Sequence, residues 1–76
     1  MRKTNVTLTA EENVFRSIMR IMKRSKAEVI QKRNLIDDEN GVFGFELSAA
    51  VPTRRYRKVS AKLMKLADTV EVTAEA

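Results

Sequence analysis

Hydrophobic and polar residues alternate most regularly over positions 42–51, and this alternation predicts a β-strand. Odd positions such as Phe43 and Phe45 are apolar, whereas the even positions are mostly small or charged. Because successive side chains of a strand point to opposite faces, one face is expected to be buried and the other lightly covered. The predicted inward set is Phe43, Phe45, Leu47, Ala49 and Val51, and the predicted outward set is Gly44, Glu46, Ser48 and Ala50.

The segments before this strand predict two further strands and one helix. Residues 3–9 alternate around the inward Val6 and Leu8, which indicates a first strand. Residues 9–12 match a capping box, in which the Thr9 hydroxyl accepts a backbone amide and Glu12 reaches back, so a helix is expected to begin there. Apolar residues at spacings of three and four carry that helix to about Ser25. The polar segment 27–36 suits an edge strand.

Turn and helix signals surround the central pattern. Asn40 and Gly41 are the favoured pair for a tight hairpin into the 42–51 strand. Pro52 ends that strand, Thr53 is expected to cap a second helix, and apolar residues at helical spacing extend this helix to position 67. Positions 68–73 alternate as a last strand, and residues 74–76 are expected to fray.

The element order βαββαβ predicts an α+β fold of the ferredoxin-like type. Two helices separated by a hairpin pack naturally on one face of a four-stranded antiparallel sheet, here with the strand order 4-1-3-2. The 42–51 strand is then central, and its phenylalanines are expected to meet Phe15 and the apolar sides of both helices. Met19, Met22 and Met64 are interpreted as flexible side chains that fill gaps in this core.

Length and composition limit the function classes. The chain has 76 residues, of which 43% are hydrophobic and 33% are charged, and this fits one small domain over residues 1–76. With no cysteine and no histidine, most nucleophilic, acid-base and zinc chemistry is removed, so an enzyme is not expected and no catalytic residue, metal ligand or cofactor is assigned. No apolar run approaches the length of a signal or membrane helix, so a cytoplasmic location without membrane contact is expected.

Basic residues outnumber acidic ones by 15 to 10, and the net charge of +5 can attract nucleic acid or an acidic protein surface. Arg16, Arg20 and Arg24 recur at every fourth position of the predicted first helix, where they repel one another. This ridge is interpreted either as a solvated helix face or as a docking face for an acidic partner, with phosphate contact as a third reading. The acidic turn at 37–40 lacks the alternating oxygen ligands of a calcium loop and is expected to be solvated.

The tripeptide Phe43-Gly44-Phe45 is similar to part of the aromatic motif with which RNA-recognition modules stack bases. Outward phenylalanines, however, would leave Gly44, Glu46 and Ser48 facing inward, which gives a hollow core containing a buried carboxylate. Core packing is therefore favoured over base stacking, and nucleic acid is not the expected partner.

Two segments, at 15–24 and 63–72, carry a family resemblance. The first is Phe-Arg-Ser-Ile-Met-Arg-Ile-Met-Lys-Arg, followed by a strand that begins near Val29. The second is Leu-Met-Lys-Leu-Ala-Asp-Thr-Val-Glu-Val, a helix end that runs directly into the last strand. The chain from about residue 4 to residue 73 thereby resembles an ACT domain, in particular the small regulatory subunit of type II acetolactate synthase.

The resemblance implies an effector site at the turn between the first strand and the first helix, where ACT domains carry a pattern close to Asn-x-Pro-Gly-Val-Leu. Glu12, Asn13 and Val14 occupy the positions of its proline, glycine and valine. Asn13 crowds a backbone that glycine would leave open, and Glu11 with Glu12 places two carboxylates where an effector's own carboxylate would bind. Both departures oppose amino-acid binding, and a simple helix cap is the alternative interpretation of this turn.

The resemblance also implies a non-catalytic activating subunit in branched-chain amino-acid biosynthesis. Thiamine diphosphate, FAD and magnesium would then belong to the large catalytic subunit of acetolactate synthase, which is the expected partner, and a homodimer is expected. The predicted self-pairing edge comprises Gln31, Lys32, Arg33 and Asn34, and the predicted docking ridge comprises Arg16, Arg20 and Arg24. The alternatives are a free-standing ACT amino-acid sensor and a basic nucleic-acid-binding plait.

Overall fold

The computed structural model describes residues 2–39 and 41–75. Its strands are β1 (Lys3–Glu11), β2 (Glu28–Asp37), β3 (Gly41–Pro52) and β4 (Thr69–Glu75), and its helices are α1 (Phe15–Arg24) and α2 (Tyr56–Met64). A short 3₁₀ turn precedes each of these helices, at Glu12–Val14 and at Thr53–Arg55. The predicted βαββαβ order is confirmed.

The four strands form one antiparallel sheet in the order β2-β3-β1-β4, which is the predicted order read from the opposite edge. The central strands β1 and β3 pair from Lys3 with Pro52 to Glu11 with Gly44. Strands β2 and β4 form the two edges, so the prediction of β2 as an edge strand is confirmed. Within the described ranges, neither helix is long and apolar enough to cross a bilayer.

The core lies between the sheet and the two helices. Every second residue of β1 from Thr4 to Ala10 is buried, and so is every second residue of β3 from Phe45 to Val51. The helices complete this core with Ile18, Met22, Val59 and Leu63. The rings of Phe15 and Phe45 meet edge to face, with centroids 5.1 Å apart and planes at 90°. This arrangement is favourable for aromatic pairs because the positive edge of one ring meets the negative face of the other.

The prediction that Phe43 joins the core is wrong. Its side chain is 53% exposed, whereas that of Phe45 is fully buried. The last β1 residue that pairs with β3 is Glu11, opposite Gly44, so positions 41–43 extend beyond the end of β1. The register between β2 and β3 also shifts just beyond that point, between positions 35 and 36. Phe43 therefore lies outside the part of the sheet that forms the core.

The two predicted helix caps are also wrong. Thr9 belongs to β1 and pairs with both β3 and β4, and its hydroxyl lies 2.7 Å from the Thr69 hydroxyl. Strand pairing on both sides carries β1 past the predicted start of the helix, because it competes with local side-chain capping. Helical structure starts only at Glu12. Thr53 likewise makes no cap hydrogen bond, and its hydroxyl lies 3.0 Å from that of Thr4.

Two apolar side chains also lie elsewhere than the pattern predicts. Ala50, expected on the lightly covered face, is only 7% exposed, since the longer Asn5 and Glu28 are its cross-strand partners. Met64, expected to fill a core gap, is 64% exposed because it ends α2. Met22 is buried, so that part of the prediction is confirmed.

Two predictions concern the chain near positions 40 and 76. Asn40 of the predicted hairpin turn lies outside the described residues, and Gly41 has φ 73°, the left-handed conformation that such a turn requires. Strand β4 pairs with β1 as far as Glu75, so it includes positions 74 and 75, where fraying was expected. Position 76 lies outside the described residues.

Candidate functional site

The turn after β1 was predicted as an effector site, and the structure connects it to the β2 edge. Glu12 and Asn13 are exposed and Val14 is half-buried. The Glu12 Oε1 atom lies 3.7 Å from Lys32 Nζ, and Lys32 Nζ lies 4.4 Å from the centroid of the Phe15 ring. An ammonium held over an aromatic face is attracted by the ring quadrupole. The turn thus presents a carboxylate that already has a basic partner within the chain.

The predicted docking ridge is divided between two concave surfaces. Arg16 and Arg20 lie beside a groove between α1 and the start of β2, which has a volume of about 660 Å³ and is here called the α1–β2 groove. Its apolar lining is Phe15, Met19, Met22, Ala27 and Val29, and its basic lining is Arg16, Arg20 and Lys23. Arg24 lines a different cleft, between the end of α1 and the start of α2. Arg16 and Arg20 thus line a different concave surface from Arg24, although all three are exposed on α1.

The cleft beside Arg24 has a volume of about 480 Å³ and is here called the helix cleft. Its basic lining is Arg24, Arg54, Arg55, Lys58 and Lys62. This site was not predicted from the sequence, because only Arg16, Arg20 and Arg24 of the first helix were singled out as a basic surface. The sequence does contain an indication of a shared basic surface, since no acidic residue occurs at positions 13–27 or at positions 47–67.

The predicted self-pairing residues on β2 are all exposed. Arg33 is held by an ion pair in which its Nη2 atom lies 3.2 Å from Glu46 Oε1 on β3. Two isoleucines near the ends of the same strand were missed as surface residues, Ile30 at 58% exposure and Ile36 at 70%. The prediction that this segment is an edge strand could have indicated their exposure, because apolar residues on an edge strand have sheet neighbours on one side only.

The described polar groups inside the fold are paired. Each buried side-chain nitrogen or oxygen atom among the described residues has a hydrogen-bond partner. Within the same ranges, no three acidic side chains lie close enough together to hold a metal ion. Three surface features stand out: the α1–β2 groove, the β2 edge and the helix cleft.

No protein-family model matches the chain, and no curated protein matches it. Solved structures do match its fold. A hypothetical protein superimposes with a TM-score of 0.76 at 18% identity, over 97% of this chain and 34% of its own. The ACT domain of GTP pyrophosphokinase from Chlorobium tepidum gives a TM-score of 0.60 at 17% identity, over 93% of this chain and 96% of that domain.

A formyltetrahydrofolate deformylase from Pseudomonas putida is also similar, with a TM-score of 0.57 at 13% identity, over 95% of this chain and 28% of the deformylase. The chain therefore spans about a third of the hypothetical protein, little more than a quarter of the deformylase, and nearly the whole of the ACT domain. These similarities establish that the chain has the fold of an ACT domain, as the sequence resemblance predicted.

Proposed function

We propose that this chain is a non-catalytic regulatory subunit that acts through protein contacts, and specifically that it is the small activating subunit of an acetolactate synthase. The α1–β2 groove carries this proposal. It combines an apolar floor with a basic rim, and both are open to solvent on a domain with the ACT fold. The sequence resemblance over residues 15–24 and 63–72 supports the choice of synthase.

The groove fits an acidic, amphipathic segment of a partner protein. Phe15 and Met19 are partly buried and offer apolar contact, and methionine adapts to a partner's shape. Arg16 and Arg20 are exposed beside them and can pair with carboxylates in two-pronged geometry. Such a surface suits a partner segment with apolar residues on one side and acidic residues on the other.

The β2 edge supports self-association into a dimer. If two copies pair antiparallel about Arg33, Ile30 of one copy meets Ile36 of the other, and this happens twice by symmetry. The two Arg33 residues would then approach each other, but each is already paired with Glu46 of its own chain. Added main-chain hydrogen bonds and four covered isoleucines make this register the favoured one.

The alternative function is a free-standing amino-acid sensor, which the sequence resemblance to ACT domains supports. The local geometry opposes it. Glu12 is the residue at the start of the helical segment, where an amino acid's carboxylate would bind, and Asn13 adds a side chain where glycine would leave space. Protein contact is therefore favoured over effector binding.

Reconstitution with the cognate large subunit tests the proposal. We expect co-purification and a higher rate of acetolactate formation when the chain is added. The double variant Arg16→Glu/Arg20→Glu should lose both effects, because it reverses the charge of the groove rim. Arg57→Glu/Lys65→Glu makes the same change in charge outside the groove and should retain them.

Two outcomes would overturn this assignment. Absence of binding and of any rate change with the cognate large subunit would exclude the synthase role. A rise in the melting temperature with one amino acid from a panel, in the absence of any partner, would favour the sensor instead.

A further inference from the structure

The helix cleft concentrates positive charge from both helices. Arg24 at the end of α1 faces four cations that precede or lie on α2, and the cleft between them is concave. The Arg55 Nη1 atom lies 3.4 Å from the Arg24 carbonyl oxygen, so one guanidinium reaches across from the α2 side to α1. The cations therefore converge on a shared space instead of spreading over separate faces.

No described acidic side chain pairs with these cations. The recorded ion pairs join Lys3 to Glu28, Lys32 to Glu12 and Arg33 to Glu46, all on the sheet or the turn after β1. Among the side chains that the structure describes, no cation of the cleft has an acidic partner within 4.0 Å. Like charges brought together without counter-charges repel, so the arrangement favours an anion from outside the chain.

The direction of α2 adds to this repulsion. Its 3₁₀ turn and first turn contain Arg54, Arg55, Arg57 and Lys58 and no acidic residue. A helix start carries partial positive charge, so acidic residues are favoured there and basic ones are unfavourable. An anion in the cleft would offset both the side-chain repulsion and the unfavourable interaction with the helix.

We propose that the helix cleft binds a small anion bearing two or more linked phosphate groups. The guanidinium group of arginine forms bidentate hydrogen bonds with phosphate oxygens, and the flexible side chain of lysine adds a compact positive charge. Five cations around one cleft suit a ligand with several negative charges better than a single carboxylate. The proposal is independent of the partner protein and concerns a surface distinct from the α1–β2 groove.

The shape of the cleft favours a small ligand over a nucleic acid strand. Its volume of about 480 Å³ lies within the range of roughly 300–1,000 Å³ that is usual for small-molecule sites. Single-stranded nucleic acid is typically held by a long basic groove with aromatic side chains for base stacking. The described lining of this cleft contains no aromatic ring.

Calorimetric titration of the full chain with inorganic triphosphate, in low-salt buffer without metal ions, tests the proposal. We expect one saturable site per chain. Arg54→Gln/Lys58→Gln should weaken binding by about tenfold or more, because two charge-assisted contacts are lost. Arg57→Gln/Lys65→Gln removes the same charge from outside the cleft and should weaken it by less than about threefold. The single variant Lys62→Gln should lie between these two results, and melting curves should show that each variant folds.

Competing probes identify the source of the phosphates. Adenosine triphosphate that binds as tightly as inorganic triphosphate, or more tightly, would support the site as one for phosphorylated small molecules. If the cleft double variant and the control double variant weakened triphosphate binding equally, the proposal would be overturned. Such a result would indicate attraction by the overall positive charge of the chain and not by a specific site. Absence of saturable binding would also overturn it, as would a short single-stranded RNA that binds tightly and is not displaced by triphosphate.

Discussion

Phe43 and Phe45 lie two positions apart on β3, yet only Phe45 is buried. The alternation of apolar and polar residues is a property of the local sequence, whereas burial of a side chain requires another element packed against it. Phe45 has Ala10 as its cross-strand partner on β1 and the Phe15 ring against it. Phe43 has no β1 partner, because pairing ends between Glu11 and Gly44. The two phenylalanines therefore provide a matched pair for measuring what the core contributes.

We expect Phe45→Ala to lower the free energy of unfolding by about 3–5 kcal/mol, since it leaves a cavity against Phe15. Phe43→Ala should change it by about 0.5 kcal/mol or less, because its ring is already half in water. Urea denaturation followed by circular dichroism measures both values. Similar losses for the two variants would contradict the placement of Phe43 outside the core.

Gly44 is required for a different reason, the close approach of two backbones. A Cβ atom at this position would lie 2.5 Å from the Ala10 carbonyl oxygen, which belongs to β1 and cannot rotate away. Gly44→Ala should therefore separate the central strands and destabilise the domain by about 1–3 kcal/mol. Gly41→Asn is the control, since Gly41 has open space around it and asparagine tolerates its positive φ. A Gly44→Ala variant as stable as this control would refute the strand contact.

At the scale of single elements, α1 combines a buried apolar side with a repulsive basic one. Ile18 and Met22 are fully buried, while Arg16, Arg20 and Arg24 are exposed at successive i, i+4 positions. Each such like-charge pair is unfavourable by roughly 0.2–0.5 kcal/mol. The helix is therefore held by its packing, and its exposed side is not optimised for stability.

Arg20→Glu tests whether this side is retained for binding. The change converts two repulsive pairs into two attractive ones, so we expect about 1 kcal/mol of added stability at low salt, with Arg20→Gln giving about half as much. The same variant should bind the proposed large subunit less well. Chemical denaturation and a pull-down measure the two effects. Lower stability with unchanged binding would show that Arg20 has a structural role instead.

At the scale of the whole molecule, charge is divided between the two layers. Positions 15–24 and 53–65, which include both helices, contain basic residues and no acidic ones, while the recorded ion pairs lie on the sheet and the turn after β1. The sheet also presents the open β2 edge with Ile30 and Ile36. The basic helix layer therefore suits anionic partners, and the edge suits a second copy of the chain.

Sedimentation equilibrium tests the dimer. We expect a two-fold assembly whose melting temperature rises with protein concentration, because dissociation is coupled to unfolding. Ile30→Lys/Ile36→Lys should yield monomers by placing charges in the paired edge. Met64→Lys also replaces an exposed apolar residue, on α2, and should leave the dimer intact. A wild-type chain that sediments as a monomer at all concentrations would rule out edge pairing.

The sequence by itself determined the order of elements, the edge position of β2 and most of the core. These features follow from periodicity, because a period of two or of 3.6 residues specifies which side of a strand or helix is apolar. The residues Val6, Leu8, Met22 and Phe45 were all predicted to face the core and are buried.

Only the tertiary structure decided where pairing ends and which surfaces meet. The failed cap at Thr9 and the exposed Phe43 depend on the lengths of neighbouring strands, which local patterns do not contain. The contact between Glu12 and Lys32, and the convergence of Arg24 with Arg54 and Lys58, join residues far apart in the chain. A linear pattern gives the face on which a residue lies, but the neighbour across that face is set by how the elements pack.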